Sequence, residues 1–454
     1  MTSWDCRRRR SPAACEVTKV RNALKALGAA LVVIALCMPL MFLPADNAQT
    51  SGTQLWQATV TVPPTVVVTT TLPPSETTTT TTPVTAERTT TTTTTTTEPS
   101  LNVTIAAVGD VLMHESIFDS VKDEKSGSYD FRPVFASVAP YLFGADYAVA
   151  NLETCLAGPE LGYSGYPLMN SPVSLAYGLK MSGIDLVATA NNHALDFGWE
   201  GLVSTLDTLD RFGMAHVGTY RSAEDRRTPL IVDLQGIKVA FLNYTDWLNG
   251  LDPPEEHAGY AVNRLDVDSV AEDVMIARMW GADIVIALLH WGDENERWPN
   301  EAQMEAAREL RSRGVDVILG AHPHVVQPIA HVFDFETWRE NDKYVAYSLG
   351  NFVSAQRLRY QDSGLIAYVH IEKKGQRAYV TGISYLPVYV QHSSEPAPGV
   401  YRVLPVLPWS LPETDTVLTE DDKERMNQVW DELRSHIYRP DENIAPIIPS
   451  DLGL

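Results

Sequence analysis

Six short segments of this sequence place metal-competent or polar side chains directly after an apolar run. They are Gly109-Asp110-x-x-x-His114, Asn151-Leu152-Glu153, Asn191-Asn192-His193-x-x-Asp196, His290-Trp291-Gly292-x-Glu294, Gly320-Ala321-His322-Pro323-His324 and Ser348-Leu349-Gly350-Asn351-Phe352. Imidazole and carboxylate together suit first-row divalent metals. Five of the 11 histidines fall in these segments, whereas His257, His331 and His392 have no such context. One histidine after a strand is ordinarily a hydrogen-bonded structural residue. Five of them in the same position, accompanied by Asp, Glu and Asn, point instead to a metal centre. Asp196 and Glu294 follow His193 and His290 closely enough to hold a ring from behind and fix its tautomer, or simply to sit at a helix start. Ser348–Phe352 is expected to shape the wall of the site. Trp291 and Trp298 are candidates for a substrate cleft or for the core.

The apolar runs before these segments read as buried strands: Val103–Val108, Tyr147–Ala150, Asp185–Ala190, Val239–Asn243, Ile284–Leu289, Val315–Leu319 and Tyr344–Ser348. Helical periodicity falls between them, near 131–143, 173–182, 199–212, 267–280 and 299–313, the last opening on Pro299 and closing at Gly314. Gln235-Gly236 and Lys374-Gly375 read as hairpin turns inside strand-rich stretches. The alternation predicts an α/β fold with largely buried sheets. Ligands of such folds bind beyond the carboxyl ends of the strands, so six strand ends can converge on one crevice. Residues 396–454 are acidic and Pro-rich, with a single helix expected near 419–437. They read as an appendage without chemistry.

The formal net charge of −22 over 454 residues excludes broad phosphate-backbone binding, so no nucleic-acid partner is expected. Residues 1–25 form a basic leader containing Arg7–Arg10. Residues 26–45 then run without a charge from Ala26 to Ala45. At about 1.5 Å rise per residue this segment reaches across a bilayer core of about 30 Å, and reads as a transmembrane signal-anchor helix. The leader stays on the cytoplasmic side, which places the rest of the chain outside. Cleavage near Asp46-Asn47-Ala48, giving a secreted protein, is the alternative. Residues 46–100 carry the threonine runs Thr77–Thr82 and Thr89–Thr97 between proline pairs. They are expected to form an extended, disordered spacer. Cys155 is the only one of the four cysteines in the main body, so the fold needs no internal disulfide.

Taken together and in this order, Gly109-Asp110…His114, Asn191-Asn192-His193 with Asp196, and Gly320-x-His322-Pro-His324 resemble the CapA-type poly-γ-glutamate capsule biosynthesis family. The resemblance spans roughly 101–390 and assigns 101–395 to one domain. That family is similar in fold to calcineurin-like metallophosphoesterases, which implies a four-layer sandwich of two mixed sheets flanked by helices. It also implies two divalent ions, with Mn, Fe or Zn as candidates. By position, one ion takes Asp110, His114, Glu153 and His324, and the other shares Glu153 and takes Asn192, His290 and His322. His193 is then the transition-state donor. The phosphoesterase first motif is Asp-x-His, whereas three residues separate Asp110 from His114 here, and Glu153 stands where the bridging residue is an aspartate. The function implied is a metal-dependent hydrolase of the cell envelope, involved in making or processing a surface polymer beside membrane synthase or export components. An extracytoplasmic phosphodiesterase or phosphatase, and a non-enzymatic polymer-binding accessory, are the two other readings.

Overall fold

The computed structural model describes residues 100–332, 343–393, 400–407, 418–438, 444–447 and 449–452. The leader, the apolar segment 26–45 and the spacer up to residue 99 lie outside the described residues. Among those described, no helix is long and apolar enough to cross a membrane.

Fifteen strands follow one another: β1 (Ser100–Val111), β2 (Tyr147–Leu152), β3 (Leu186–Ala188), β4 (Ala215–Val217), β5 (Leu230–Leu234), β6 (Ile237–Thr245), β7 (Ile284–His290), β8 (Val317–Ala321), β9 (Ile329–Val332), β10 (Lys343–Ala346), β11 (Asn351–Val353), β12 (Ser363–Lys374), β13 (Arg377–Ser393), β14 (Val400–Pro405) and β15 (Ile444–Pro446). They build two mixed sheets. One runs β14-β13-β12-β1-β2-β3-β4, with β11 paired to β1 and β15 to β13; the other runs β5-β6-β7-β8-β10-β9. The side-chain period of two explains the unbroken apolar runs. Val103, Ile105 and Ala107 of β1 enter a core shared with Phe241, Ile286, Leu288, Val317 and Leu319 of the other sheet. Ala106 and Val108 instead face Phe131, Phe135, Leu175 and Leu179, on the helical side. The outer face of the six-stranded sheet is covered by Val270, Val274, Ala307 and Leu310. These come from helices Val267–Met279 and Glu301–Ser312.

The expected helix at 131–143 is two short ones, Arg132–Phe135 and Ala139–Phe143. Pro140 has no N–H to continue a helix, and its ring clashes with the carbonyl four residues back, so the chain restarts there. The helix expected from Pro299 begins at Glu301. Asn300 caps it, accepting from the Gln303 N–H at 2.8 Å while the Gln303 side chain accepts from the Asn300 N–H at 3.0 Å. Gln235 and Gly236 form the β5–β6 turn with φ of 55° and 95°, a hairpin geometry that favours glycine.

The C-terminal region is not an appendage. β14 pairs antiparallel with β13, and β15 pairs parallel with it. The helix Glu420–Ile437 buries Met426, Val429, Leu433 and Ile437 in the core between the sheets. The domain therefore continues well past residue 395. Local composition hid this, because the partners of these strands and of this helix lie far away in sequence. Val429→Ala should cost about 1–3 kcal/mol, the range for truncating a fully buried side chain. An unchanged denaturation midpoint would restore the appendage reading.

Candidate metal centre

The site begins with two close approaches that only glycine permits. A Cβ on Gly109 would fall 1.9 Å from the Gly350 carbonyl oxygen, and one on Gly320 would fall 1.9 Å from that of Tyr347. These contacts let the ends of β1, β8 and the 348–351 turn converge, with the Asp110 N–H donating to Gly350 O at 2.9 Å. Asn151 and Glu153 leave β2 on the same face because they are two residues apart. His322 and His324 turn inward with φ of 94° and 59°. That is left-handed backbone, which non-glycine residues adopt at a cost and which concentrates at functional sites.

Glu153, fully buried, is the centre of the arrangement. Its Oε1 lies 3.6 Å from His290 Nε2 and 3.8 Å from His324 Nε2, and it has no hydrogen-bond partner. Glu153, His290 and His322 offer ligand atoms within 4.8 Å of one another, and so do Asp110, Glu153 and His324. His290 Nε2 also stands 3.0 Å from Asn192 Oδ1. Burial pushes the His290 imidazole well below its usual range, reinforced by the neighbouring histidines. The same cause brings His322 down to about 4, and its Nδ1 is buried without a partner. Both rings are therefore neutral lone-pair donors at neutral pH. Burial pushes the Glu153 carboxyl well above its usual range, and the Asp110 charge beside it adds to this. Burial acts on Asp110 in the same direction, but hydrogen bonds from His324 and Asn151 outweigh it, and Asp110 stays below the ordinary carboxylate range. An unpaired carboxylate oxygen facing neutral imidazole nitrogens is unfavourable by itself. A divalent cation removes the conflict, so the residues fit a metal.

Asn151 was not singled out as a site residue, yet its Nδ2 donates to Asp110 Oδ1 at 2.8 Å and lies 3.3 Å from His290 Nδ1. The period-two pairing with Glu153 was the signal for it. His114 belongs to no candidate ligand group among the described residues. Three intervening residues carry it to the start of helix Glu115–Ser120, where its Nδ1 accepts from the Ala355 N–H at 3.4 Å. Glu294, expected behind His290, instead reaches within 4.8 Å of ligand nitrogens on His322 and His324. The Asn295 N–H bonded to Pro323 O at 2.8 Å holds it there. Asp196 Oδ2 lies 2.7 Å from His193 Nδ1 and accepts the Met169 N–H at 2.7 Å. Asn191 braces the same loop, donating to Leu152 O at 2.7 Å and accepting from the His193 N–H at 3.1 Å. Asn351 stands beside Asp110 in the β1–β11 register. Trp291 is core, its indole donating to Tyr347 O at 2.9 Å, whereas Trp298 is exposed. A cavity of about 310 Å³ opens elsewhere, between β4 and the β5–β6 hairpin; no candidate ligand lines it.

The family model for the bacterial capsule synthesis protein PGA_cap matches residues 104–356, more than half of the chain. The chain belongs to this family. Within the PGA_cap family it is similar to the PGA biosynthesis protein CapA of Bacillus subtilis (strain 168), 30% identical over 300 residues, 64% of this chain and 72% of that one. The capsule biosynthesis protein CapA of Bacillus anthracis is 28% identical over 302 residues, covering 64% and 68%. Among solved structures, the calcineurin-like phosphoesterase YfkN from Bacillus subtilis aligns over 74% of this chain and all of its own, at 14% identity and a TM-score of 0.38. A superposition that weak carries no weight, and the fold of this PGA_cap member rests on its own strand order.

Proposed function

We propose that the chain is a divalent-metal-dependent hydrolase of the cell envelope that acts on a capsule-type surface polymer, with poly-γ-glutamate-like material the first candidate. The observation that carries this reading is the buried, unpartnered Glu153 Oε1 between the Nε2 atoms of His290 and His324. Asp110, Glu153 and His324 would hold one ion; Glu153, His290 and His322, with Asn192 beside them, would hold a second. Mn, Fe and Zn all suit this donor set. Divalent ions held there would supply water activation near neutral pH and polarisation of the bond to be broken. The chain's own residues do the rest. Asp196 accepts a hydrogen bond from Nδ1–H of His193 and would hold the ring with Nε2 toward the substrate. Protonated at both nitrogens and steadied by that carboxylate, the ring would give its Nε2 proton to the leaving group or steady developing charge. Burial of Glu153, Asn192 and His290 keeps bulk water from the reacting atoms.

The carboxylate-held histidine equally favours a second reading, an extracytoplasmic phosphodiesterase or phosphatase. A non-enzymatic accessory of a membrane synthase or exporter would have no use for it. Elemental analysis of the purified chain should find divalent metal, close to two ions per chain, and a panel of phosphoesters and poly-γ-glutamate should then separate the readings. Absence of bound metal after reconstitution with Mn, Fe and Zn sinks both enzymatic readings; metal without any turnover leaves the accessory role.

The basic leader and the uncharged run Ala26–Ala45 support a reading in which this domain lies outside the cytoplasm, held by the apolar segment or released by cleavage after it. A reporter fused after Leu454 should be active only outside. Activity confined to the cytoplasm removes the envelope reading.

A further inference from the structure

Six non-glycine residues among those described have positive φ, and all but Gln235 belong to loops around the metal centre: Asn249, Asn295, His322, His324 and Tyr360. The histidines are accounted for by the ligand geometry. Tyr360 is not: its φ is 77°, a conformation that a bulky side chain rarely adopts without a local reason. Its ring lies under a guanidinium, with Arg297 Cζ 4.0 Å from the centroid, and Arg359 Cζ stands 5.0 Å away. Arg359 is paired with Glu432 at 2.9 Å. Arg297 is different, because its Nε and Nη2 are buried and have no hydrogen-bond partner.

A guanidinium carries five N–H donors, and leaving buried ones unmet is destabilising. The sequence has 57 acidic residues, and Glu294 and Glu296 sit in the same turn as Arg297, yet neither supplies an acceptor. The scaffold nevertheless holds this residue firmly. The Arg297 carbonyl lies 3.0 Å from Nε2 of His436, on the helix Glu420–Ile437. Both loops are tied to the metal centre. Arg297 follows Glu294, which stands with His322 and His324. Tyr360 precedes Gln361, whose side chain donates to Asn295 and whose carbonyl accepts from Asn351 at 2.8 Å, beside Asp110.

We propose that Arg297, presented on the ring of Tyr360 in the turn that follows Glu294, is a specificity-determining contact and binds an oxyanion, carboxylate or phosphate, carried by the substrate. The inference deepens the hydrolase reading and rests on it for the word substrate. A guanidinium held flat against an aromatic ring offers its fork of donors in a fixed plane, the arrangement that recognises carboxylate and phosphate in two-point fashion. Lysine would supply the charge without that fork.

The test uses the full metal-loaded chain and two probes, glutarate as the carboxylate source and glycerol 3-phosphate as the phosphate source, titrated against tryptophan fluorescence. R297Q should weaken one probe or both by roughly tenfold or more, the loss of a charged hydrogen-bond pair, and the probe that weakens more names the anion. R297K should recover only part of the affinity, and Tyr360→Leu should weaken binding with the arginine still present. Metal content and melting temperature should match the parent in R297K. Unchanged affinity for both probes in R297Q and R297K, failure of both probes to bind the parent, or a fall in R297K metal content alongside affinity would each overturn the proposal. A parent without metal whose anion affinity still depends on Arg297 would end the hydrolase reading and leave the anion site standing.

Discussion

Glu153→Gln should strip the chain of metal while leaving the fold intact. The substitution keeps the volume but removes the charge and turns an acceptor into an N–H donor aimed among imidazole lone pairs. Because Glu153 belongs to both ligand groups built around His290 and His324, affinity should fall by more than the roughly 10–100-fold typical of losing an outer partner of a metal ligand. His114→Ala, by contrast, should retain parent-like metal content, since that side chain joins no candidate group among the described residues. Stability should move in opposite directions with and without metal. The Glu153 carboxyl titrates well above its usual range in the folded, metal-free chain, so there the folded state binds more protons than the unfolded one. Its contribution is present at pH values below the ordinary carboxylate range and is lost as pH rises toward the raised value. Metal-free Glu153→Gln, which cannot titrate, should therefore melt above the metal-free parent at neutral pH and approach it at about pH 4. With metal added, the order should reverse. Thermal melts across pH with and without a chelator provide the check. A Gln variant that keeps its metal would show that Glu153 is not a ligand.

His193→Ala should keep its metal and its melting temperature and lose turnover by about a hundredfold to a thousandfold, the usual cost of removing one donor to a developing charge. The imidazole is buried and is not part of any candidate ligand group; its Nδ1 is held 2.7 Å from Asp196 Oδ2. Asp196→Asn offers a sharper companion. The amide removes the carboxylate charge that steadies a ring protonated at both nitrogens, so turnover should fall while metal content stays. Activity is read on whichever member of the phosphoester and poly-γ-glutamate panel the parent cleaves. Unchanged kcat in His193→Ala removes this histidine from the chemistry.

Much of this candidate site was legible because each candidate ligand follows an apolar run, and a strand fixes where its last side chain points. Asp110, Glu153, His290, His322 and His324 announced themselves in that way. Asn192 and His193 did so too, after the run Asp185–Ala190, and the family pattern added their roles. The misplacements share one cause, which is loop geometry. Three residues of loop set His114 at the start of helix Glu115–Ser120, outside the candidate ligand groups of the described residues, and Glu294 is turned toward His322 and His324 by a backbone bond to Pro323 that no spacing rule contains. Asn151 stood in one of the six segments but carried no assigned role, although period two places it on the same face as Glu153. For the fold, β1, β2, β3, β6, β7, β8 and β10 were visible as apolar runs and the two hairpins as turns, whereas the three-residue β4 was too short to stand out. The tail's helix was read close to its observed bounds, but its packing against the core and the strands β14 and β15 were missed, because they become recognisable only against β13, a partner remote in sequence.

The pairing of β1 has a consequence for how the chain is made. The strand lies in the interior of its sheet, with Ser100 opposite Lys374 and Val108 opposite Ile366 in β12. During synthesis, amino end first, β1 emerges long before that partner and presents an unsatisfied apolar edge in the meantime. β14, β15 and the helix Glu420–Ile437 arrive later still, and that helix braces the carbonyl of Arg297. Non-local pairing of this kind folds slowly and leaves intermediates prone to association. The domain should therefore acquire its site only when nearly the whole chain has emerged, and a nascent chain stalled before β12 should depend on a holding chaperone.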